Sequence, residues 1–182
     1  MIKFIILFIG MTISLNSTFE KEMQLIKAKE TTRKANKIEL AIQKYKFAEL
    51  TLENVALALR EIGIHHPDTV FFQTIKESGW LNKTFYKSKL ATKYNNLFGM
   101  RKPAQRYTTC LTNTYRGYAT YSHWIYSVID YLYWQQSNII RENESYKQYL
   151  VRRGYARNTK GYVKKFNFIL PDSLKNIFRS DL

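Results

Sequence analysis

Apolar residues recur at intervals of three and four along two consecutive stretches of the chain, and this spacing predicts two amphipathic helices. The first is predicted over residues 52–62, because Thr51 is a favoured N-cap residue and Gly63 a favoured stop. The second is predicted over residues 67–77, because Pro67 suits the first helical position. The predicted buried positions are Leu52, Val55, Ala56, Leu59 and Ile62 in the first helix, and Val70, Phe71, Thr74 and Ile75 in the second.

The segments on either side follow different patterns. Residues 19–50 are polar, rich in Lys and Glu and free of Pro and Gly, which predicts one or two partly exposed helices; a flexible spacer is the alternative. Residues 106–121 are rich in Tyr and Thr, which predicts a β-hairpin with its turn centred on Asn113. Helical spacing resumes at about His123 or Trp124 with a broad apolar stripe. Together these patterns predict a mainly α domain, formally α+β, with one small β-hairpin.

The beginning of the chain differs in character from the rest. Lys3 provides a minimal positive charge, and residues 4–15 form a nearly uninterrupted apolar run. The run is short for a membrane span, which needs about 20 residues. We therefore interpret residues 1–18 as a signal peptide, which predicts a secreted or periplasmic protein with no stable membrane span after cleavage. An uncleaved segment that tethers the protein to the inner membrane is the alternative. The remaining chain then comprises a helical N-terminal segment, residues 19–50, and a folded domain, residues 51–182.

Composition narrows the expected partners. The formal net charge of +15 predicts an anionic partner. Nucleic acid is not the expected one, because the Lys and Arg residues are scattered and no nucleic-acid-binding motif is present. The single Cys110 excludes an intrachain disulfide and is interpreted as a packed residue. Neither a metal nor a cofactor is expected, because His65 and His66 have no further ligand-type residues at a suitable spacing.

One carboxylate occurs at an unusual position. Glu77 falls in the last turn of the helix predicted over residues 67–77, immediately before Ser78 and Gly79. The negative end of the helix dipole and partial burial would both raise the pKa of this carboxylate. A raised pKa is what a general acid requires. A solvated glutamate at a frayed helix end is the alternative interpretation.

Several motifs that follow one another in order resemble a known family. They are Gly-Ile-His-His-Pro at 63–67, Glu-Ser-Gly-Trp at 77–80, Ser-Lys-Leu-Ala at 88–91, Tyr-Asn-Asn-Leu-Phe-Gly at 94–99, Gly-Tyr-Ala-Thr-Tyr-Ser-His-Trp at 117–124 and Gly-Tyr-Ala at 154–156. Their content and order are similar to the glucosaminidase domain of bacterial peptidoglycan hydrolases, glycoside hydrolase family 73. The resemblance implies that residues 51–182 form a lysozyme-like helical catalytic domain, with peptidoglycan glycan strands as the partner.

The resemblance also implies roles for individual residues. Glu77 corresponds to the catalytic acid of the family, and Tyr121 to its active-site tyrosine; a core ring is the alternative for Tyr121. The residues whose amides or rings are candidates for sugar binding are Trp80, Tyr94, Asn95, Asn96, Phe98, Tyr118 and Trp124. The implied activity is that of an exported endo-beta-N-acetylglucosaminidase, which cleaves the glycosidic bond after N-acetylglucosamine.

A second catalytic carboxylate is missing from the sequence around these motifs. Glycoside hydrolysis usually takes two carboxylates. No Asp or Glu occurs between Glu77 and Asp130, and we interpret Asp130, inside an apolar helix, as a structural acid. The 2-acetamido group of the substrate is a candidate internal nucleophile, with Tyr121 positioning it. Two other classes stay open: a lytic transglycosylase, which also needs one acid, and a non-catalytic wall-binding module.

Overall fold

The computed structural model describes most of the chain. The described residues are 2–78, 88–155, 161 and 172–179, with side chains from Phe19 onward. The chain divides into two compact units, Met1–Glu39 and Leu40–Leu182. The first helix, α1 (Ile2–Tyr45), makes up the described part of the first unit and continues into the second.

The first unit is highly exposed where its side chains are described. From Phe19 to Glu39 every side chain except Ile38 is exposed. Glu30 and Lys34, one turn apart on α1, form an exposed ion pair of 2.7 Å, the spacing at which opposite charges on a helix face each other. The one or two helices predicted for this region are a single helix. No helix in the described part of the chain is both long enough and apolar enough to cross a membrane.

The second unit contains the two helices that the periodicity predicts. Helix α2 (Leu52–Ile62) is capped by Thr51, whose side chain accepts a hydrogen bond from the backbone, and it ends at Gly63 with a left-handed φ of 83°. Helix α3 (Pro67–Glu77) begins with Pro67 in its first turn. Every position predicted to be buried on these two helices is buried. Both predictions are therefore confirmed, including the boundaries.

A short helix and a hairpin follow α3. Helix α4 (Lys89–Thr92) is a single turn. Strands β1 (Thr114–Tyr115) and β2 (Tyr118–Ala119) pair in antiparallel orientation, which confirms the hairpin. The predicted turn centre at Asn113 is wrong, because the chain reverses at Arg116-Gly117, where φ is 53° and 80°. A two-residue loop with positive φ at both positions matches the right-handed twist of the paired strands.

The next long helix, α5 (Trp124–Gln136), supplies much of the core. It begins where helical spacing was expected to resume, and it packs against α2. Helix α6 (Tyr146–Arg152) begins with a capping box. Helix α7 (Asp172–Arg179) packs against α2. Of the Gly-Tyr-Ala motif at 154–156, Gly154 and Tyr155 are described and follow α6. The mainly helical, lysozyme-like fold with one small hairpin is confirmed.

His66 and Cys110 are residues of types that can bind a metal ion. His66 is the N-cap residue of α3 and has a left-handed φ of 53°. Cys110 is a free, half-buried cysteine. Among the described residues, no group of three His, Cys, Asp or Glu side chains could hold a metal ion.

Candidate active site

Glu77 is the last residue of α3, and its side chain is half-buried. The adjacent Ser78 is fully buried, and its hydroxyl donates to the carbonyl of Thr74. The Ser78 N–H donates to the same carbonyl at 2.9 Å, and the Ser78 carbonyl accepts from the N–H of Ser88, also at 2.9 Å. The backbone next to Glu77 is therefore held by hydrogen bonds to both the helix and the chain that precedes α4.

The turn at residues 95–99 lies against the carboxylate of Glu77. Gly99 has a left-handed φ of 63°, and a Cβ atom added there would lie 3.0 Å from Glu77 Oε2 and 3.7 Å from its Cδ. Glycine is therefore favoured at this position both by the backbone conformation and by the space. The structure brings together the two motifs that the sequence singled out, the helix-ending glutamate and the Asn-Asn-Leu-Phe-Gly turn.

Asn96 holds this turn with its whole amide group. Its Nδ2 donates to the carbonyls of Met100 and Ala119, each at 2.8 Å. Its Oδ1 accepts from the N–H groups of Phe98 and Met100, at 3.3 and 3.0 Å. These four hydrogen bonds use the full capacity of an amide, and the residue is buried. Asn96 was a candidate sugar ligand in the sequence. Its amide instead stabilises the turn and has no hydrogen bond left for a substrate.

The hairpin is attached to the same turn by hydrogen bonds. The Ala119 N–H donates to the Met100 carbonyl at 2.9 Å, and the Tyr121 N–H donates to the Tyr94 carbonyl at 3.0 Å. Asn95 Nδ2 donates to the Tyr121 carbonyl at 3.0 Å. The Asn95 side chain is half-buried, and its Oδ1 makes no hydrogen bond to any residue that the structure describes. Asn95 therefore has an amide oxygen that remains available to a ligand.

Tyr121 lies just after the hairpin, in a buried cluster with Asp130 of α5 and Arg106. Its hydroxyl donates to Asp130 Oδ2 at 2.7 Å, and the residue is 3% exposed. Burial, followed by the negative charge of Asp130, raises the pKa of Tyr121 far above its usual value. The phenol therefore stays protonated at physiological pH, so that it can donate a hydrogen bond but cannot act as a base.

Asp130 is held from two sides. Arg106 Nη1 donates to Oδ1 at 2.7 Å and Nη2 donates to Oδ2 at 2.8 Å, in addition to the bond from Tyr121. The Asp130 side chain is completely buried, and the Arg106 side chain is 13% exposed. A buried charge is tolerated when it is paired and hydrogen-bonded in this way. These contacts agree with the interpretation of Asp130 as a structural acid.

Two of the predicted sugar-stacking rings pack inside the core. Phe98 is 1% exposed, and its ring stacks on Tyr131 with a centroid distance of 4.3 Å. Trp124 is 2% exposed, and its indole N–H donates to the carbonyl of Ala48 at 2.8 Å. In this structure packing accounts for both rings, and a contact of either with sugar stays a prediction.

The other predicted rings are more accessible. Tyr94 and Tyr118 are both half-buried. Tyr94 stacks on Tyr115 of β1 with a centroid distance of 4.3 Å, and the guanidinium of Arg101 lies 5.1 Å from the ring centroid of Tyr118. Trp80 lies outside the described residues. Tyr94, Tyr118 and Asn95 are thus the described candidates with surface left for a sugar.

Two residues of this region were missed by the sequence analysis. A buried acid in an apolar helix signals that a cationic partner is needed, but the spacing does not show which of the 29 Lys and Arg residues supplies it. The structure identifies Arg106. Tyr155, in the Gly-Tyr-Ala motif, donates its hydroxyl to the carbonyl of Phe98 at 2.7 Å, which links this distant motif to the turn beside Glu77.

These features define a class of protein. A mainly helical, lysozyme-like domain carries a half-buried glutamate at a helix end, and a hydrogen-bonded turn and hairpin adjoin it. A family model described as mannosyl-glycoprotein endo-beta-N-acetylglucosaminidase matches residues 52–172. The chain therefore belongs to this glucosaminidase family, glycoside hydrolase family 73. Comparisons with curated proteins and with solved structures find no match.

Proposed function

We propose that this protein cleaves peptidoglycan glycan strands as an endo-beta-N-acetylglucosaminidase, with Glu77 as the general acid. The observation that carries the proposal is the contact between the Glu77 carboxylate and Gly99 of the Asn-Asn-Leu-Phe-Gly turn. Membership of the glucosaminidase family supports the class of reaction. A half-buried carboxylate at the negative end of a helix is a suitable proton donor.

The proposed reaction needs one protein carboxylate. Glu77 protonates the oxygen of the leaving sugar while the acetamido carbonyl oxygen of N-acetylglucosamine attacks C1 of the same sugar. Water then attacks C1 and gives a proton back to Glu77, which restores the acetamido group and the acid. The burial of Asp130 and the lack of any Asp or Glu between Glu77 and Asp130 favour this route over a two-carboxylate scheme.

The acetamido group has to be oriented for this attack, and we assign that task to Asn95 and Tyr121. The Asn95 amide oxygen is suited to accept a hydrogen bond from the acetamido N–H, and Asn95 is itself held by the Tyr121 carbonyl. The Tyr121 hydroxyl donates its one proton to Asp130, so Tyr121 acts by keeping this carbonyl, and with it Asn95, in position. We further propose that the reaction takes place outside the cytoplasm, with residues 1–18 as the signal peptide.

The central test is the substitution Glu77→Gln, which keeps the shape of the side chain and removes the proton donor. Release of reducing ends from purified peptidoglycan should fall by about 100- to 10,000-fold, because general acid catalysis typically contributes that much. The fold should be nearly unchanged in circular dichroism and thermal melting. Glu53→Gln, which alters a carboxylate in the first turn of α2, is the matched control and should keep wild-type turnover. Near-wild-type turnover of a folded Glu77→Gln protein would end the proposal.

Mass spectrometry of the digest separates the neighbouring functions. New reducing-end N-acetylglucosamine is the expected product. Anhydro-muramic ends would show that the protein is a lytic transglycosylase instead. Tight binding to wall sacculi without release of soluble fragments would show that it is a wall-binding module.

A further inference from the structure

A cavity of about 340 Å³ adjoins the Glu77 site and has a strongly basic wall. Gly99, which contacts the Glu77 carboxylate, is also part of this wall. None of the lining residues that the structure describes is acidic, and the basic ones are Arg101, Lys102, Arg106 and Arg153. An anion that enters the cavity would therefore meet positive or neutral groups among the described residues.

Most of this positive charge has no carboxylate partner. Arg106 is paired with Asp130, but Arg101, Lys102 and Arg153 form no ion pair with any residue that the structure describes. Outside the described ranges the sequence contains a single acid, Asp181. The three cations are exposed, so they are hydrated and able to bind an anion from solution.

The walls of the cavity are held in position. The Tyr155 hydroxyl donates to the Phe98 carbonyl, and the Tyr155 ring meets Trp134 edge-on at a centroid distance of 5.3 Å. Lys102 Nζ donates to the Thr112 carbonyl at 3.0 Å, which leaves further N–H groups for a ligand. Walls that are already ordered lose little conformational freedom on binding, which favours affinity.

We propose that this cavity binds a carboxylate of the peptide stem that the glycan strand carries. The inference rests on the proposed function, because peptidoglycan stems begin on the sugar next to N-acetylglucosamine and carry carboxylates. A stem would thus start within one sugar of the bond cleaved at Glu77. Gly99 lies beside the Glu77 carboxylate and also lines the cavity, so the cavity is at a suitable distance for the stem. Arg153 and Lys102 bind the carboxylate, and the rings of Trp134 and Tyr155 pack against the aliphatic parts of the stem.

The test compares the double substitution Lys102→Gln/Arg153→Gln with Lys46→Gln/Lys147→Gln. The second pair removes the same charge from exposed positions that do not line the cavity. Each protein acts on glycan strands with native stems and on the same strands after their carboxylates are amidated with carbodiimide and ammonia. We expect the first pair to raise KM for native strands roughly three- to tenfold, as for two exposed ion pairs, with the main effect on KM rather than kcat. High salt should reduce the difference, and on amidated strands the first pair should match the wild type.

An unchanged KM in Lys102→Gln/Arg153→Gln would overturn the inference. An equal rise in KM on native and amidated strands, or an equal rise in the control pair, would also overturn it.

Sedimentation with insoluble sacculi separates this inference from the proposed function. A wild type that sediments with native sacculi, loses binding on amidation and releases no reducing ends would refute the glucosaminidase activity and keep the role of the cavity. Reducing-end release that is indifferent to amidation and to the double substitution would keep the activity and refute the cavity.

Discussion

At the scale of single residues, Gly99 is the position where one added methyl group would reach the proposed catalytic carboxylate. We expect Gly99→Ala to lower turnover by about 10- to 100-fold, because a displacement of even 1 Å at a catalytic group has effects of this size. The substitution should also lower the free energy of unfolding by about 1 to 2 kcal/mol, because alanine is strained at the left-handed φ of 63°. Steady-state kinetics and urea unfolding measure the two effects.

Gly154→Ala is the matched control for this prediction. Gly154 has a similar φ of 58°, but a Cβ atom there would have nothing within 4 Å. The two variants should therefore lose similar stability. Because Gly154 also lines the basic cavity, turnover is compared on strands with amidated stems, which have no carboxylate for that cavity to bind, and there only Gly99→Ala should lose most of its turnover. Equal turnover in both would mean that the Glu77 carboxylate moves aside without consequence.

Tyr121 tests whether the buried cluster acts in the reaction or only in the fold. Tyr121→Phe removes the hydroxyl that donates to Asp130 and retains the ring. Stability should fall by about 1 to 2 kcal/mol for one hydrogen bond. Turnover should fall more than affinity for the wall, because Tyr121 holds Asn95, whose proposed contact with the acetamido group is needed in the transition state. Tyr126→Phe is the control, since the Tyr126 hydroxyl makes no hydrogen bond to the described residues. Unchanged turnover of Tyr121→Phe would assign Tyr121 to the core.

At the scale of elements, the start of α5 depends on the protonation of one histidine. His123 Nδ1 accepts from the Ile125 N–H, so the ring proton must be on Nε2, which then donates to the Ala48 carbonyl at 3.1 Å. Burial lowers the pKa of His123 below its ordinary value of 6.5. Protonation would turn Nδ1 into a second donor that faces the Ile125 N–H, which removes the cap.

The lowered pKa predicts a loss of stability in mild acid. Because the unfolded chain binds the proton more readily than the folded one, this contribution is complete above pH 6.5 and declines as the pH falls from there toward the folded pKa. His123→Asn keeps a capping acceptor but does not titrate. Its thermal midpoint should therefore fall less than that of the wild type between about pH 7.5 and about pH 5.5. Equal falls in the two proteins would show that His123 does not contribute to this dependence.

At the scale of the whole molecule, export decides whether the protein can meet its proposed substrate. We expect fractionation of the native host to find the protein outside the cytoplasm, without roughly its first 14 to 20 residues. Leu7→Lys interrupts the apolar run and should keep the protein inside the cell. A full-length, membrane-bound wild type would favour the uncleaved tether, and a full-length cytoplasmic one would remove both the localisation and the substrate assignment.

The sequence by itself determined the features that depend on neighbours along the chain. The caps and the apolar periodicity of α2 and α3 set both helices and their buried faces, because helical contacts join residues three or four apart. The same local signals set Glu77 at a helix end. The order of the short motifs was sufficient to indicate the family, since that order is itself a property of the sequence.

Tertiary structure alone decided the features that depend on distant pairing. The hairpin reverses at Arg116-Gly117 rather than at Asn113. Several residues in this region are compatible with a turn, and the pairing of β2 with the chain at Met100 is a distant contact that the local sequence does not show. The amide of Asn96 is used by the backbone, and the basic cavity joins residues from separate parts of the chain. Spacing along the sequence indicates that a buried acid needs a cation or that an amide needs partners. Only the packed chain determines which of the many available groups lie within hydrogen-bonding distance.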